Sequence, residues 1–248
     1  MKSCLITLMG TTPMVATEMY RYLYNGDPGL NDMILMYTEL DEIITSTYAS
    51  ATAIKSKYPK VRIHYSKLPF EDIKSENELY TFLDVLGSRI KLEKENYNVS
   101  KIYVNLSGAR KVQAISVSAF AALLGIDELW NVINIDITDF NYLYEQNKNI
   151  FKEFMNGENL DAYMAHRDIL DAIFYPDPNK LTFIKVPFLK LPRDDMNQLK
   201  KLLKGGYDLT HGDIPDFKLD AFIQSELITN NKKRSTPTRL GEIFYKFL

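Results

Sequence analysis

The first 140 residues alternate short apolar runs with longer amphipathic segments. Apolar runs at residues 4–8, 32–37 and 102–106 predict buried parallel strands, and helical periodicity follows each of them. Further segments predict helices at 41–57, 76–94 and 112–124 and strands at 61–68 and 129–137. Because alternation of strand and helix is typical of α/β folds, we predict a doubly wound, mostly parallel, Rossmann-like sheet over residues 1–140.

The alternation of strands and helices stops after residue 140. A polar segment at 144–161, a turn at 176–179 and a β-like run at 181–191 predict a connecting segment over 141–192. Beyond it the pattern predicts helices at 196–204 and 216–227, a hairpin tip at 232–235 and a last helix at 238–248. This order is typical of a winged helix-turn-helix domain, which we predict over 193–248.

Composition and charge narrow the setting of the protein. The chain has 248 residues, 46% of them hydrophobic, which supports a folded core. Its net charge is -2 without a long block of like charge, so any anionic partner must be bound locally. A single cysteine, Cys4, cannot form an internal disulfide and indicates a cytoplasmic protein. The N-terminus lacks the features of a signal peptide and no segment has membrane-spanning length, so we expect no membrane partner.

The first candidate for chemistry is the turn from Gly10 to Pro13, directly after the first predicted strand. Ligands of doubly wound sheets bind where strands lead into helix N-termini. Gly10 allows a tight turn, Thr11 or Thr12 would cap the helix, and Pro13 suits its first position. A helix start without a ligand explains the same residues. The functional alternative is a phosphate held by free N–H groups and hydroxyls.

The second candidate follows the third predicted strand and contains a glycine, a hydroxyl and two cations. Arg110 and Lys111 stand where the helix dipole disfavours positive charge, which favours a local anion over a solvated pair. The turn is neither a Walker loop nor a dinucleotide-binding GxGxxG motif, and neither is the first turn. Because both turns follow neighbouring strands, we predict that they share one ligand.

The two turns together resemble the signature loops of CARF domains, most closely those of standalone CRISPR-associated ring nucleases. The matching segments are 9–13 with Thr17 and Glu18, and 105–111; Tyr37 with Thr38, 68–73 and 184–187 support them. The resemblance implies a homodimer that binds cyclic tetra-adenylate across its axis. It also implies that the protein linearises the ring without a metal or other cofactor. The products would be linear tetramers or dimers that end in a 2′,3′-cyclic phosphate. This cleavage would end type III CRISPR antiviral signalling.

The resemblance also implies the roles of individual residues. Lys111, Thr12 and Arg110 would be catalytic, and the ligand would be bound by Gly10, Thr11, Thr38, Asn105, Ser107, Gly108 and Ala109. The family often has serine at the position of Thr12 and commonly glycine at that of Ala109. In ring opening the ribose 2′-hydroxyl attacks the adjacent phosphorus, so Thr12 would hold the substrate in line and the cations would stabilise the added charge.

Other residue types argue against a metal site. His64, His166 and His211 are far apart and show no HxH or HxxxH spacing, so we expect ordinary core or surface histidines. Aromatic residues such as Trp130, Tyr142 and Tyr144 would suit adenine stacking, although aromatic residues near a sheet edge are more often core.

Two alternative functions stay open on the sequence. The first is a cyclic-oligoadenylate-responsive transcription regulator, since CARF domains also occur joined to winged helices and Lys232, Lys233 and Arg234 would lie on the wing. Against duplex DNA as a partner, the expected recognition helix carries Asp216, Asp220 and Glu226 beside Lys218 alone. The second alternative is a protein that only sequesters the messenger.

Overall fold

The computed structural model describes residues 1–135 and 137–248. Within these residues the main sheet has six strands in the order β3-β2-β1-β4-β5-β6. The first five are parallel, and the last pairs antiparallel with β5. Their bounds are β1 Ser3–Leu8, β2 Leu30–Tyr37, β3 Arg62–Lys67, β4 Lys101–Asn105, β5 Glu128–Asn134 and β6 Leu181–Val186. The predicted doubly wound, mostly parallel α/β sheet is confirmed.

The strand order creates a switch point between β1 and β4. The chain builds outward from β1 to β3 and then crosses back to add β4 and β5 on the other side of β1. The loops that leave β1 and β4 therefore diverge from adjacent strands at the carboxyl edge of the sheet. Ligands of open α/β sheets bind at such a point. Both candidate turns of the sequence lie there.

Helices cover both faces of the sheet because β1 alternates its side chains between them. Leu5 packs in one cluster with Val15 and Ile43, whereas Ile6 packs on the other face with Phe82 and Val117. The four helices of these layers are α1 Met14–Gly26, α2 Asp41–Lys57, α3 Glu76–Asn96 and α4 Lys111–Phe120. Among the described helices, none combines the length and the apolar character needed to cross a bilayer.

The region predicted as a connecting segment contains helices that the sequence did not reveal. Phe151, Tyr163 and Phe174 pack against Ala49 and Ala53 of α2 and form a separate buried cluster. The bounds are α5 Ile137–Gln146, α6 Lys148–Phe151, a 3₁₀ turn Lys152–Phe154, α7 Leu160–Ala165, α8 Arg167–Phe174 and a 3₁₀ turn Pro178–Lys180. This cluster packs the connecting segment against α2 of the first region.

Two strand predictions need correction in this region. The strand expected at 129–137 ends at Asn134, and α5 begins at Ile137; residue 136 lies outside the described residues. The strand expected at 181–191 ends at Val186, because Pro187 cannot donate a backbone hydrogen bond to the ladder. The remaining strand, β6, then covers the edge of β5.

The last elements follow in the predicted order of two helices, a hairpin and a helix. They are α9 Arg193–Leu203, α10 Asp216–Gln224, β7 Ile228–Asn231, β8 Arg234–Pro237 and α11 Arg239–Tyr245. Leu199, Phe222 and Phe244 are buried in one cluster with Phe82 and Leu86 of α3. The C-terminal elements therefore share a core with the sheet region. The winged-helix assignment and the three-domain division stay predictions.

Candidate functional site

The two candidate loops touch through a pair of glycines. A Cβ atom on Gly10 would lie 2.5 Å from the carbonyl oxygen of Gly108, and one on Gly108 would lie 2.4 Å from that of Leu8. Neither glycine has a positive φ, so the close backbone approach, rather than an unusual conformation, requires glycine here. We call this the glycine contact. It joins the loop after β1 to the loop after β4.

The side chain of Asn105 holds the second loop in place through hydrogen bonds. This side chain is completely buried, and its Nδ2 donates to the carbonyl of Val15 at 2.9 Å. Its Oδ1 accepts from the backbone N–H of Ser107 at 3.1 Å and from the Ser107 hydroxyl at 2.8 Å. The same hydroxyl accepts from the N–H of Val132 in β5 at 2.7 Å. Helix α1, the second loop and β5 are thereby held in one arrangement.

The first loop differs in detail from its prediction. Pro13 stands at the N-cap position with helical backbone angles, and no side chain caps α1. The expected cap by Thr11 or Thr12 is therefore wrong, because the proline itself occupies the cap position and displaces both threonines from it. Hydroxyls of Ser46 and Ser50 in α2 donate to the carbonyls of Thr11 and Pro13, at 3.0 and 2.8 Å. Thr11 is exposed and Thr12 half-buried.

The second loop places two cations at the start of α4. Lys111 is the first residue of the helix and Arg110 its N-cap, where its N–H donates to Oε1 of Gln113 at 3.0 Å. Within the described part of the chain, no carboxylate lies in ion-pair distance of either cation. Lys111 is exposed and Arg110 half-buried. Their charge opposes the helix dipole without compensation, which favours binding of an anion.

Two further predicted residues fit this edge of the sheet. Ala109 does not have a positive φ, and its N–H donates to the carbonyl of Leu106 at 3.0 Å, so alanine is accommodated in the loop. Thr38 follows β2 and is buried, and its Oγ1 has no hydrogen-bond partner among the described residues. A buried hydroxyl without a partner is costly, but Thr38 is only 1% exposed, so its contact with a ligand stays a prediction.

Two clefts open on either side of Thr12. The outer cleft, of about 530 Å³, lies between the first loop, α2 and α5–α6, and is lined by Thr11, Thr12, Asp41, Glu42, Thr45, Tyr144, Glu145, Lys148, Phe151 and Lys152. The second cleft, of about 390 Å³, is lined by Thr12, Met14, Val15, Glu18, Ser107, Asn131, Val132, Ile133 and Asn134. We call the second cleft the Glu18 pocket.

The three aromatic residues considered for stacking have different surroundings. Trp130 packs edge-on against Tyr22 at 5.5 Å and donates to Glu128, so its ring is occupied within the fold. Tyr144 lines the outer cleft and packs edge-on against Phe151 at 4.7 Å. Tyr142 is exposed. A role for any of them in binding a base stays a prediction.

Glu18 is a residue of this edge to which sequence reasoning gave no role. It is 1% exposed, and its Oε1 has no hydrogen-bond partner among the described residues. Burial raises the pKa of this carboxyl to about 8, although the charge of Arg21 and a hydrogen bond with Asn134 act in the opposite direction. One signal was present in the sequence: Glu18 interrupts an apolar helix face between Met14 and Met19.

A different cluster of ionisable residues lies at the amino ends of the strands. Ligand-type atoms of Asp32, His64 and Glu93 lie within 4.8 Å of one another, which the sequence spacing of the histidines did not reveal. Lys2 approaches Asp32 at 3.2 Å, and Arg62 bonds it on the other side. We call these five residues the Asp32 network.

The Asp32 network is a poor metal site in electrostatic terms. Lys2 and Arg62 already neutralise Asp32, and a divalent cation would be repelled by both. Burial lowers the pKa of His64 and raises that of Glu93, so burial disfavours the charged form of each. The network therefore resembles a structural ion-pair cluster more than a metal centre.

Comparison with known proteins relates the chain to CRISPR systems. Residues 13–208 match the family model described as CRISPR-associated protein NE0113. No curated protein matches the chain. The second candidate loop lies within the matched range, whereas only Pro13 of the first loop does.

A solved structure shares the fold. It is Csm6 of Enterococcus italicus bound to cyclic hexa-2′-fluoro-hexa-dAMP, with a TM-score of 0.50 and 15% sequence identity. The alignment covers 90% of this chain and 49% of the Csm6 chain, so this chain spans about half the length of the structure it matches. At this identity the likeness shows the fold alone, which agrees with the predicted doubly wound α/β sheet.

Proposed function

The chain belongs to the family of CRISPR-associated protein NE0113, and on this premise we propose that it binds cyclic tetra-adenylate and opens the ring without a metal. The observation that carries the proposal is the glycine contact, because it brings the hydroxyl-bearing turn of Thr12 against the loop of the uncompensated cations Arg110 and Lys111. The solved Csm6 of the same fold holds a cyclic oligonucleotide analogue. Cleavage of the messenger would end type III CRISPR antiviral signalling.

The proposed reaction is a transesterification within the ring. The ribose 2′-oxygen bonds to the adjacent phosphorus, the bond from phosphorus to the 5′-oxygen breaks, and a proton passes from the first oxygen to the second. The products end in a 2′,3′-cyclic phosphate and a 5′-hydroxyl. Lys111 and Arg110 stabilise the charge on the non-bridging oxygens, and Thr12 holds the reacting ribose in line.

The ligand contacts divide into two kinds. Thr11 is exposed and Gly108 and Ala109 are half-buried, so these residues present backbone and hydroxyl groups where a phosphate fits, whereas Gly10 is buried in the glycine contact. The other proposed residues, Thr38, Asn105 and Ser107, are buried or half-buried. Asn105 acts by positioning the loops, since both ends of its amide are bound within the fold.

A homodimer is part of the proposal. Val112 and Ile115 follow Lys111 on α4 and are 38% and 61% exposed, which leaves an apolar strip beside the cations. A twofold axis along this strip would bury it and would place two copies of Lys111 around one ring. A mixed dimer with one Lys111→Ala subunit should then accumulate the linear tetramer. Dinucleotides formed at the normal rate would contradict the shared arrangement.

The activity is tested with labelled cyclic tetra-adenylate in excess EDTA, with the products resolved by chromatography. We expect linear products ending in 2′,3′-cyclic phosphate. The cleavage rate of Lys111→Ala should be at least about 100-fold lower than that of the wild type, as for loss of other charge-stabilising groups. Lys60→Ala, which removes an exposed lysine elsewhere, is the matched control and should cleave normally. An intact but tightly bound ring would move the function to regulation or sequestration.

One observation favours the regulator as a second candidate. Lys232 and Lys233 are exposed at the hairpin turn between β7 and β8, with Arg234 next to them. On α10, however, Lys218 is bound to Asp195 at 2.6 Å and is not available to duplex phosphates. Tight, salt-sensitive binding to a duplex from the protein's own promoter would support the regulator. Its absence would leave the ring nuclease as the proposed function.

A further inference from the structure

The Glu18 pocket is lined by both apolar and polar side chains. Met14, Val15, Val132 and Ile133 form the walls, Glu18 lies with two asparagines, and Thr12 and Ser107 lie on the side of the two loops. Sites for planar ligands are built in this way, with apolar contact area and a few polar groups that fix orientation. A volume of about 390 Å³ accommodates one nucleobase.

Glu18 is the group in this pocket that lacks a partner within the described protein. Its side chain is 1% exposed, and Oε1 makes no hydrogen bond. A buried polar atom without a partner destabilises the folded protein, and native structures rarely contain one without a reason. A ligand that bonds Oε1 would relieve this cost, whereas Asn134 already bonds the carboxyl from β5.

The carboxyl of Glu18 is protonated at neutral pH. Burial raises its pKa to about 8, and the charged group that opposes this shift is Arg21, one turn further along α1. Arg21 itself donates to the carbonyl of Pro176 at 2.8 Å. The hydrogen bond with Asn134 lowers the pKa of Glu18, which means that Asn134 donates to the carboxyl. The proton therefore belongs on the unpartnered Oε1, where it forms an O–H donor.

We propose that the Glu18 pocket holds one adenine of the ring and that Oε1–H of Glu18 donates to the N1 atom of that base. The inference rests on the proposed function and deepens it, because it names the group that selects the base. N1 of adenine carries a lone pair, whereas N1 of hypoxanthine and guanine carries a hydrogen. A fixed O–H donor therefore accepts adenine and opposes the other two purines.

The position of the pocket agrees with a nucleotide. Thr12 and Ser107 line the pocket and also belong to the two loops proposed to hold the phosphate and ribose. Base and phosphate of one nucleotide would thus occupy adjoining sites. The unpartnered oxygen, the apolar walls and the adjacent loops are independent features of the same place.

The test compares two rings that the proposed reaction cannot open, because both lack the 2′-hydroxyl: 2′-fluoro cyclic tetra-adenylate and 2′-fluoro cyclic tetra-inosinate. Affinities are measured by calorimetry on the full chain at several pH values. At about pH 6.5 we expect the adenine ring to bind the wild type at least about tenfold more tightly, the effect of one opposed hydrogen bond. Above pH 8 the carboxyl ionises, loses its donor and accepts from N1–H of hypoxanthine, so the preference should fall.

Variants separate the role of Glu18 from that of its surroundings. Glu18→Gln keeps the shape but offers both a donor and an acceptor, so it should lower the preference and remove its dependence on pH. Glu95→Gln, at an exposed carboxylate near the C-terminal end of α3, is the matched control and should behave like the wild type. If Glu18→Gln does not fold, the pH series on the wild type decides the question alone.

Two results would overturn the inference, and they are distinguishable. Equal binding of both rings to the wild type, unchanged from pH 6.5 to about pH 9, would remove Glu18 from base selection and leave the proposed function intact. Failure of both rings to bind would remove the proposed function itself.

Discussion

Both ends of the sheet contain buried carboxylates, Asp32 and Glu93 at the amino end and Glu18 at the carboxyl end, but their surroundings differ. At the amino end, Asp32 is fully buried and is bound by Lys2 and Arg62. At the carboxyl end, Glu18 is equally buried but has no ion-pair partner among the described residues. Its Oε1, like Oε2 of Glu93 at the amino end, makes no hydrogen bond there, but Glu18 also lines a cavity. Burial of a charged group is therefore a poor marker of function by itself. A buried oxygen without a partner is more informative where its side chain also lines a cavity, as Glu18 does, because a group from outside then has space to approach it.

The cations of the two ends show the same contrast. Lys2 and Arg62 bind Asp32, and both also lie against the ring of Tyr97. Arg110 and Lys111 have no ion-pair partner in the part of the chain that the structure describes. The amino end is internally neutralised and serves stability. The carboxyl end retains positive charge at a helix start, where an anionic ligand would be stabilised.

The largest effect should come from Gly108→Ala, which breaks the glycine contact. The new Cβ would lie 2.4 Å from the carbonyl oxygen of Leu8, so the loops must separate. We expect ring cleavage to fall by more than about 100-fold, because catalytic geometry is lost, and unfolding free energy to fall by about 1–3 kcal/mol from overpacking. Single-turnover kinetics and urea unfolding measure the two effects.

Gly26→Ala is the matched control for this substitution. Gly26 ends α1, has no positive φ, and a Cβ there would meet no atom within 4 Å. It should leave cleavage and stability nearly unchanged. Normal cleavage by Gly108→Ala would show that the two loops do not act as one site.

The next largest effect, on the unfolding free energy, should come from Asp32→Asn at the amino end of the sheet. Removal of the charge leaves Lys2 and Arg62 without their buried partner, which should lower the unfolding free energy by about 3 kcal/mol. Ring affinity and cleavage per folded molecule should not change. Glu39→Gln removes an exposed partner of Lys67 and should cost less than about 1 kcal/mol. Altered ring affinity in Asp32→Asn would mean that the two ends are coupled.

A smaller effect should appear in the pH dependence of stability. The folded pKa of Glu18, about 8, lies above its ordinary value near 4.5, so the folded state retains a proton that the unfolded state releases. Wild-type stability should therefore fall as pH rises between these values, by up to about 1.4 kcal/mol per pH unit from this group, and level off above them.

Glu18→Gln isolates this contribution because glutamine does not titrate. The variant should gain stability over the wild type steadily from about pH 5 to pH 8, as measured by urea unfolding. Other ionisable groups, such as His64 and Glu93, are present in both proteins, so their contributions cancel in the difference. Parallel pH profiles would mean that Glu18 is not protonated in the folded state.

The smallest effect should come from changes at Thr12. Thr12→Ser keeps the hydroxyl and should change cleavage by no more than about twofold, whereas Thr12→Ala should slow it by about tenfold with little loss of ring affinity. Single-turnover rates and dissociation constants are compared for the three proteins. An affinity loss as large as the rate loss would assign Thr12 to ligand binding rather than to orientation.

Sequence patterns predicted the bounds of an element well where the residues at its own two ends define them. Helix α2 was predicted with its observed bounds, because acidic residues in its first turn and lysines in its last enclose an apolar pattern. The antiparallel pairing of β6 with β5 was not predicted. The partner of a strand depends on the path of the intervening chain, here the helices packed on α2, and a local pattern does not contain that path.

The dependence on the path of the chain also explains which buried ionisable residues the sequence did not reveal. Turn chemistry was sufficient to place Gly10, Gly108 and Lys111 at the carboxyl edge, since each lies beside a recognisable strand end. Glu18 has no role until β5 lies alongside α1 and encloses it. His64 and Glu93 likewise meet only in the folded sheet. The predicted threonine cap was wrong by one residue, since the N-cap is Pro13 and not Thr12. Helix boundaries depend on backbone angles that a sequence pattern does not define to the residue.

The glycine contact has a consequence for protein engineering. Each loop supplies one half of a backbone-to-backbone fit, and neither half tolerates a side chain. A loop taken from a relative would carry only its own half, shaped to a different counterpart. Chimeras intended to change the messenger recognised should therefore exchange the loops after β1 and β4 together, as one interchangeable part.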